Sequence, residues 1–212
     1  MPEQNLAAPE LAAVDIQGVT RQSFILRGAV AAGAVYGLGA VSPFVREALA
    51  QGSDGDVEIL NFALTLEYLE ATFYERALKQ TKGLGGDARK LAGTIHKNEM
   101  AHVTALTGTI KDLGGKPVKA PKVGFGNAFG SQKSFLKLAQ TFEDTGVSAY
   151  NGAAPQIESK DVLAAAGSIV QIEARHAAAI RSLNGAPITD TAFDKPLQMD
   201  QVLKAVKPFV KS

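Results

Sequence analysis

The amino-acid sequence predicts an all-α fold built as a four-helix bundle, and three observations support this prediction. Apolar residues make up 46% of the chain but aromatic residues only 7%, a composition typical of alanine-rich helices. Four long segments repeat apolar residues at alternating steps of three and four, which is the period of one helix face. No segment alternates apolar and polar residues as a half-buried strand would. With 212 residues, the chain has the length of one well-filled core.

Residues that break helices bound the four segments. The predicted helices span about residues 57–81, 87–113, 131–150 and 160–183. A glycine-rich turn at 82–86 ends the first helix, and Asp87 is the predicted N-cap of the second. The stretch 116–130 contains two prolines and has no helical period, so we expect a long connection there. Near the C-terminus, residues 199–206 form a short amphipathic segment.

The first 51 residues differ from the rest of the chain. Arg21 precedes an uncharged stretch of small residues at 28–41, and a small-x-small pattern follows at 48–50. This order is typical of an export signal, and the stretch is shorter than the ~20 apolar residues that a membrane span needs. Residues 20–26 resemble a twin-arginine translocation signal that lacks one arginine. We therefore expect an exported protein of the periplasm or cell envelope, with no stable membrane span once processed. If the segment is a retained helix, we expect a cytoplasmic protein.

Charge and cysteine content exclude several functions. The net charge of +1 and the isoelectric point near 7.9 offer no basic surplus for phosphates, so we expect no nucleic-acid partner. The chain has no cysteine, which excludes disulfide frameworks, thiol nucleophiles, iron–sulfur clusters and cysteine-ligated zinc.

Every predicted helix carries a glutamate on its apolar face. These glutamates are Glu67, Glu99, Glu143 and Glu173, and histidines follow one turn later at His102 and His176. Burying one unpaired carboxylate costs several kcal/mol, so four of them would exceed the roughly 5–15 kcal/mol of net stability that a domain has. A positively charged partner must therefore lie among them.

Two divalent metal ions meet this requirement, because their four positive charges neutralise the four carboxylates while the imidazoles stay neutral. The Glu-x-x-His spacing places both donor groups one turn apart on one helix face, at Glu99–His102 and again at Glu173–His176. A glutamate from each of two helices and a Glu-x-x-His pair from each of the other two is the ligand set of di-iron and di-manganese bundles. We expect iron ahead of manganese, although oxygen ligands with imidazole suit both metals.

The spacing of these residues also predicts the topology. Glu67 and the Glu99–His102 pair are centred on residues 83–84, inside the first predicted turn, and Glu143 and the Glu173–His176 pair are centred on residues 158–159. Two antiparallel hairpins would therefore bring their ligands to the same height. The stretch 116–130 can span at most about 50 Å, which is enough to cross the length of the bundle. We expect two antiparallel helix hairpins joined by one long crossover.

Two tyrosines repeat the same spacing in both halves of the chain. Tyr74 follows Glu67 by seven residues, and Tyr150 follows Glu143 by seven. Two helical turns keep each phenol on its glutamate's face, where it can donate a hydrogen bond to a ligand on a neighbouring helix. We expect both tyrosines to support the reaction beside the metal ligands; the alternative is simple core packing.

With these motifs, the chain resembles ferritin-like domain proteins, and is similar to the bacterial group that often carries export signals and is sometimes labelled desiccation-associated. The resemblance covers about residues 56–185, between the leader at 1–51 and a C-terminal extension at 186–212 with a short helix. It implies a ferritin-like four-helix bundle with a carboxylate-bridged dimetal site that reacts with dioxygen or peroxide. It does not imply which reaction, because one fold hosts many.

Several alternatives remain open at the sequence level. The protein is a redox enzyme with metal ions and small oxidants as partners, a metal-binding or storage protein without turnover, or a structural stress protein that kept the site to hold its fold together. It could also form a homo-oligomer. Glu70 is expected beside the ligands or partly exposed rather than on the metal, and His96 at the surface. The competing site is mononuclear, with His96, Glu99 and His102 on one helix.

Overall fold

The computed structural model describes residues 55–189 and 191–211. Within these ranges it has no β-strand and five α-helices, which are α1 (Gly55–Gln80), α2 (Gly86–Asp112), α3 (Gln132–Ala153), α4 (Lys160–Leu183) and α5 (Met199–Val206). None of these helices combines the length and the apolar character needed to cross a membrane. The predicted leader at 1–51 lies outside the described residues.

The first four helices form two hairpins that pack against each other. Helix α1 packs along α2 and α3 along α4, with further contacts between α1 and α3 and between α2 and α4. The first hairpin is antiparallel, because Arg89 at the start of α2 donates a hydrogen bond to the Leu78 carbonyl at the end of α1 (3.0 Å). The prediction of an all-α bundle of two antiparallel hairpins is confirmed.

The connection between α2 and α3 crosses the length of the bundle. Near the start of α1, the Asn61 side chain donates to the Lys116 carbonyl (3.2 Å) and accepts a hydrogen bond from the Val118 amide (2.8 Å). Beyond the end of α1, the Lys82 amide donates to the Phe129 carbonyl (3.1 Å). The connection therefore begins at one end of α1 and finishes at the other, as a long crossover does.

Two apolar clusters divide the interior along the bundle axis. The aromatic cluster includes Phe73, Tyr74, Phe125, Phe135 and Phe142. The aliphatic cluster includes Leu60, Leu64, Leu106, Ile110 and Ile169. The residues between the two clusters along α1 and α2 include Glu67 and Glu99, so the acidic positions lie in the middle of the bundle with apolar packing on both sides.

Two predicted helix ends need correction. Gly85, not Asp87, is the N-cap of α2, because the extended backbone of Gly85 precedes a helix that already includes Gly86. The Asp87 carboxylate still lies in the first turn, where the helix dipole favours negative charge. Helix α3 continues past the predicted end at residue 150, through Gly152 to Ala153.

The C-terminal extension packs on the same bundle. The Leu197 amide donates to the Ser148 carbonyl of α3 (2.9 Å), and Val202 and Val206 of α5 are buried in the aromatic cluster. An isolated antiparallel bridge joins Val123 of the crossover to Val210 near the end of the chain. The extension therefore covers the end of the bundle that contains the aromatic cluster.

Candidate metal centre

The six predicted ligands converge at the middle of the bundle. The four glutamates, one from each of α1 to α4, have no solvent exposure at all. The histidines are nearly as enclosed, with 8% of His102 and 5% of His176 exposed. Each acid occupies a position where the helix period places an apolar core residue, so burial follows from the packing of the helices themselves.

The donor atoms form two overlapping sets. One set is Glu67, Glu99, His102 and Glu173, and the other is Glu99, Glu143, Glu173 and His176. Within each set, the donor atoms lie within 4.8 Å of one another. Glu99 and Glu173 belong to both sets, so the two hairpins contribute equally to an arrangement with approximate two-fold symmetry.

Both imidazoles turn Nδ1 toward the acids. Nδ1 of His102 lies 3.2 Å from Glu67 Oε2, 3.3 Å from Glu99 Oε2 and 3.1 Å from Glu173 Oε1. Nδ1 of His176 lies 3.0 Å from Glu99 Oε1 and 3.4 Å from Glu143 Oε2. On its outer side, Nε2 of His176 lies 3.0 Å from the Asn98 side-chain amide.

Several polar atoms of the cluster are buried without a hydrogen-bond partner among the described residues. They are Glu99 Oε1, Glu143 Oε2, both carboxylate oxygens of Glu173, and His176 Nδ1. Carboxylate oxygens only accept hydrogen bonds, so adjacent ionised carboxylates offer one another no donor. Oxygen atoms with imidazole nitrogen are a donor set that suits divalent iron and manganese, and the residues present therefore fit a pair of such ions.

The two tyrosines hold the outer carboxylates across the α1–α3 interface. The Tyr74 hydroxyl donates to Glu143 Oε1, and the Tyr150 hydroxyl donates to Glu67 Oε1 at 2.5 Å. Burial and the neighbouring Glu143 raise the pKa of Tyr74 well above 10, and burial and Glu67 do the same for the pKa of Tyr150. Both phenols therefore keep their protons and act as donors.

Without cations, the imidazoles supply the positive charge of the centre. Burial lowers the pKa of His102, but contacts with Glu173, Glu67 and Glu99 outweigh it and raise the pKa to about 12. In the same way, burial is outweighed by contacts with Glu143 and Glu99, and the pKa of His176 rises to about 10.

The pKa values of Glu143 and Glu99 shift in opposite directions. Burial, reinforced by the charges of Glu173 and Glu99, raises the pKa of Glu143 to about 8. Burial also acts to raise the pKa of Glu99, but contacts with the two histidines lower it to about 2. Without cations, the cluster therefore offsets its negative charge with bound protons, on both histidines and on Glu143.

Two other sequence candidates fall outside both donor sets. Glu70 is buried, with 3% of the residue exposed, so the option of a partly exposed Glu70 is wrong: its position on α1 faces α3. Nδ1 of His96 lies 3.2 Å from the Ala71 carbonyl, so the single-helix site with His96 is not formed.

Sequence reasoning missed Asn98 and the role of Gly146. Asn98 carries no periodic signal, because it lies beside the apolar face of α2 rather than on it. Gly146 is a glycine on the buried face of α3, one turn beyond Glu143, and its small size was the sequence signal for a crowded site.

Comparisons with known proteins agree with this architecture. The model of the ferritin-like domain family matches residues 55–186, more than half of the chain. Among solved structures, the chain is similar to rv2844, a conserved hypothetical protein from Mycobacterium tuberculosis, with a TM-score of 0.55 and 18% sequence identity over 66% of this chain and 96% of that one. No curated protein matches the chain by sequence. The solved structure supports the fold alone, and the family match gives the assignment: this chain belongs to the ferritin-like domain family.

Proposed function

We propose that this protein binds two divalent metal ions, iron or manganese, at the centre of its bundle and carries out redox chemistry with dioxygen or peroxide. The observation that supports the proposal most directly is the complete burial of four glutamates in two donor sets that share two members. Four carboxylates this close together stay ionised only with a comparable positive charge beside them. Two divalent ions supply that charge and leave the histidines neutral.

Each residue has a distinct part in this proposal. Glu99 and Glu173 would each contribute to holding both ions, because each belongs to both donor sets. Glu67 and His102 would complete the ligands of one ion, and Glu143 and His176 would complete those of the other. When bound, the pair supplies two electrons, one from each ion, which is the number that reduces hydrogen peroxide to water.

The surrounding residues fix the ligands and keep water out. Tyr74 and Tyr150 hold the outer carboxylates by hydrogen bonds and so set the orientation of the remaining oxygens. The aromatic and aliphatic clusters close the bundle on both sides of the centre, which strengthens every charge interaction within it.

Metal content tests the binding part of this proposal. We expect the purified protein to take up two Fe²⁺ or Mn²⁺ ions per chain, measured by elemental analysis. Glu67→Ala removes the outer carboxylate of one donor set, so this variant should hold fewer ions. Glu75→Ala removes an exposed carboxylate of the same helix, which pairs with Lys79, and this variant should keep both ions.

The reaction is tested on the loaded protein by following its absorbance after addition of O₂ or H₂O₂. We expect loss of the oxidant at a rate that falls in parallel with metal content in Glu67→Ala. Full metal content without consumption of either oxidant would instead mean that the protein binds or stores metal without turnover.

A further inference from the structure

Glu70 is a buried acid that the six ligands leave unexplained. It lies one turn beyond Glu67 on α1, and only 3% of the residue is exposed. It has no hydrogen bond or ion pair with any residue in 55–189 or 191–211. A carboxylate removed from water without a partner destabilises a fold, so this position calls for a ligand that compensates it.

The backbone opposite Glu70 leaves room for its carboxylate. A β-carbon at Gly146 of α3 would lie 3.4 Å from Glu70 Oε1 and 3.2 Å from Glu173 Oε2. The same oxygen of Glu173 is one of the buried atoms without a hydrogen-bond partner among the described residues. Glu70 and a shared carboxylate of the centre therefore approach the same point, and a β-carbon at residue 146 would contact both, more tightly Glu173.

The pairing of α1 with α3 places Glu70 between the two donor sets. The tyrosine hydrogen bonds bring residue 74 level with residue 143, and residue 67 level with residue 150. Residues 70 and 146 are half-way between these levels, and they are equivalent under the approximate two-fold symmetry. The shared carboxylates Glu99 and Glu173 come from α2 and α4, so Glu70 approaches from the other side of the bundle.

We propose that Glu70 is a fifth carboxylate ligand of the metal pair, which reaches the ions from the α1–α3 side in the space left by Gly146. This inference rests on the proposed function, because it requires two ions in the centre. In the present rotamer its oxygens are in neither donor set, so ligation requires a rotation of the side chain toward the ions. Of the two symmetry-equivalent positions, α1 has Glu70 and α3 has Gly146. There is therefore space for one additional carboxylate beside the two donor sets.

The test is a titration of the metal-free, full-length protein with Co²⁺ alone, followed by its visible absorption and by competition with a chelator. We expect wild type to bind two ions. Glu70→Gln should weaken the binding of one of them by about tenfold or more, the usual effect of losing a supporting ligand group. Its visible band should also become more intense, since Co²⁺ absorbs more strongly as its coordination number falls.

Two further variants separate ligation from charge and from folding. Glu75→Gln removes the same charge from an exposed position on α1 and should leave affinity and spectrum unchanged. Glu70→Asp keeps the charge but shortens the side chain, so a ligand role predicts weakened binding here too. This variant also decides the matter if Glu70→Gln does not fold.

The outcomes distinguish the two proposals. Wild-type affinity and an unchanged spectrum in Glu70→Gln, or in Glu70→Asp, would overturn the role of Glu70 while leaving the metal pair in place. A wild-type chain that fails to bind two Co²⁺ ions would overturn the proposed function itself, and the role of Glu70 with it.

Discussion

At the scale of single residues, Asn98 makes the two halves of the centre unequal. Its side chain lies 3.0 Å from Nε2 of His176, whereas the equivalent position before Glu173 is Ile172, which has no polar side chain. A histidine that binds a cation through Nδ1 carries its proton on Nε2 and needs an acceptor there. The Asn98 amide provides one when its oxygen faces the ring, an orientation that a side-chain flip supplies.

Asn98→Ala should therefore weaken one metal site and spare the other. We expect the affinity for one of two Mn²⁺ ions to fall by about 10- to 100-fold, as is typical when a ligand histidine loses its outer hydrogen bond. Calorimetric titration of the metal-free protein measures both affinities. Thr94→Ala, an exposed change on the same helix, serves as the control. Equal affinities in Asn98→Ala and wild type would rule out this role.

The sequence predicted which residues converge but not how each is supported. Glu67 and Glu143 stand out because a charged residue interrupts an apolar face, and the helix period then fixes where they point. The roles of Asn98 and Glu70 are set by the side chains that face them from α4 and α3. Which side chains these are depends on how the two hairpins pack against each other. Local periodicity contains no information on that docking.

At the scale of helices, Gly152 connects α3 to the C-terminal extension. A β-carbon at this position would lie 1.9 Å from the Leu197 carbonyl oxygen, which is backbone and cannot rotate away. The adjacent hydrogen bond from the Leu197 amide to the Ser148 carbonyl holds the two segments at this separation. The long-range packing also explains why the helix passes through a glycine that, in sequence, resembles a stop.

Gly152→Ala should lower the free energy of unfolding by about 1–3 kcal/mol, the range for overpacking a well-filled site. Gly93→Ala is the matched control, because nothing lies within 4 Å of its β-carbon. Alanine at that helical position should raise stability by up to about 1 kcal/mol. Urea unfolding of both variants measures the difference, and equal stability in the two would contradict the packing of the extension on α3.

At the scale of the whole molecule, the buried charge determines how stability depends on pH. In the metal-free protein, the pKa values of Glu143, His176 and His102 are raised to about 8, 10 and 12. Groups with raised pKa values bind more protons in the folded state, so their stabilisation is present at low pH and is lost as pH rises. Glu99, with its pKa lowered to about 2, has the opposite effect, but only below its ordinary value of 4.5.

We therefore expect the metal-free protein to become less stable between about pH 5 and pH 8. Metal ions bind the deprotonated ligands and displace these protons, so they should stabilise the fold more as pH rises. Thermal unfolding with and without a chelator, at pH 5.5 and at pH 8, measures the effect. The chelator should lower Tm at both values and by more at pH 8. An equal or smaller loss at pH 8 would show that the acids are not neutralised by bound metal.

The overall topology was predictable because it follows from spacing. Predicted ligands equidistant from each turn indicate that the helices pair as two antiparallel hairpins. The length of the proline-containing stretch indicates a connection that crosses the bundle. The packing of the C-terminal extension was not predictable in this way. Its contacts with Ser148 and with the crossover join segments that are far apart in the chain, and no periodic pattern relates them.

X-ray diffraction from crystals loaded with Mn²⁺ or Fe²⁺, recorded at the absorption edge of the metal, locates the ions directly. We expect two anomalous peaks inside the bundle, one among Glu67, His102 and the shared carboxylates, the other among Glu143, His176 and the same pair. A bundle without anomalous density between its four glutamates, in protein saturated with metal, would contradict the central claim.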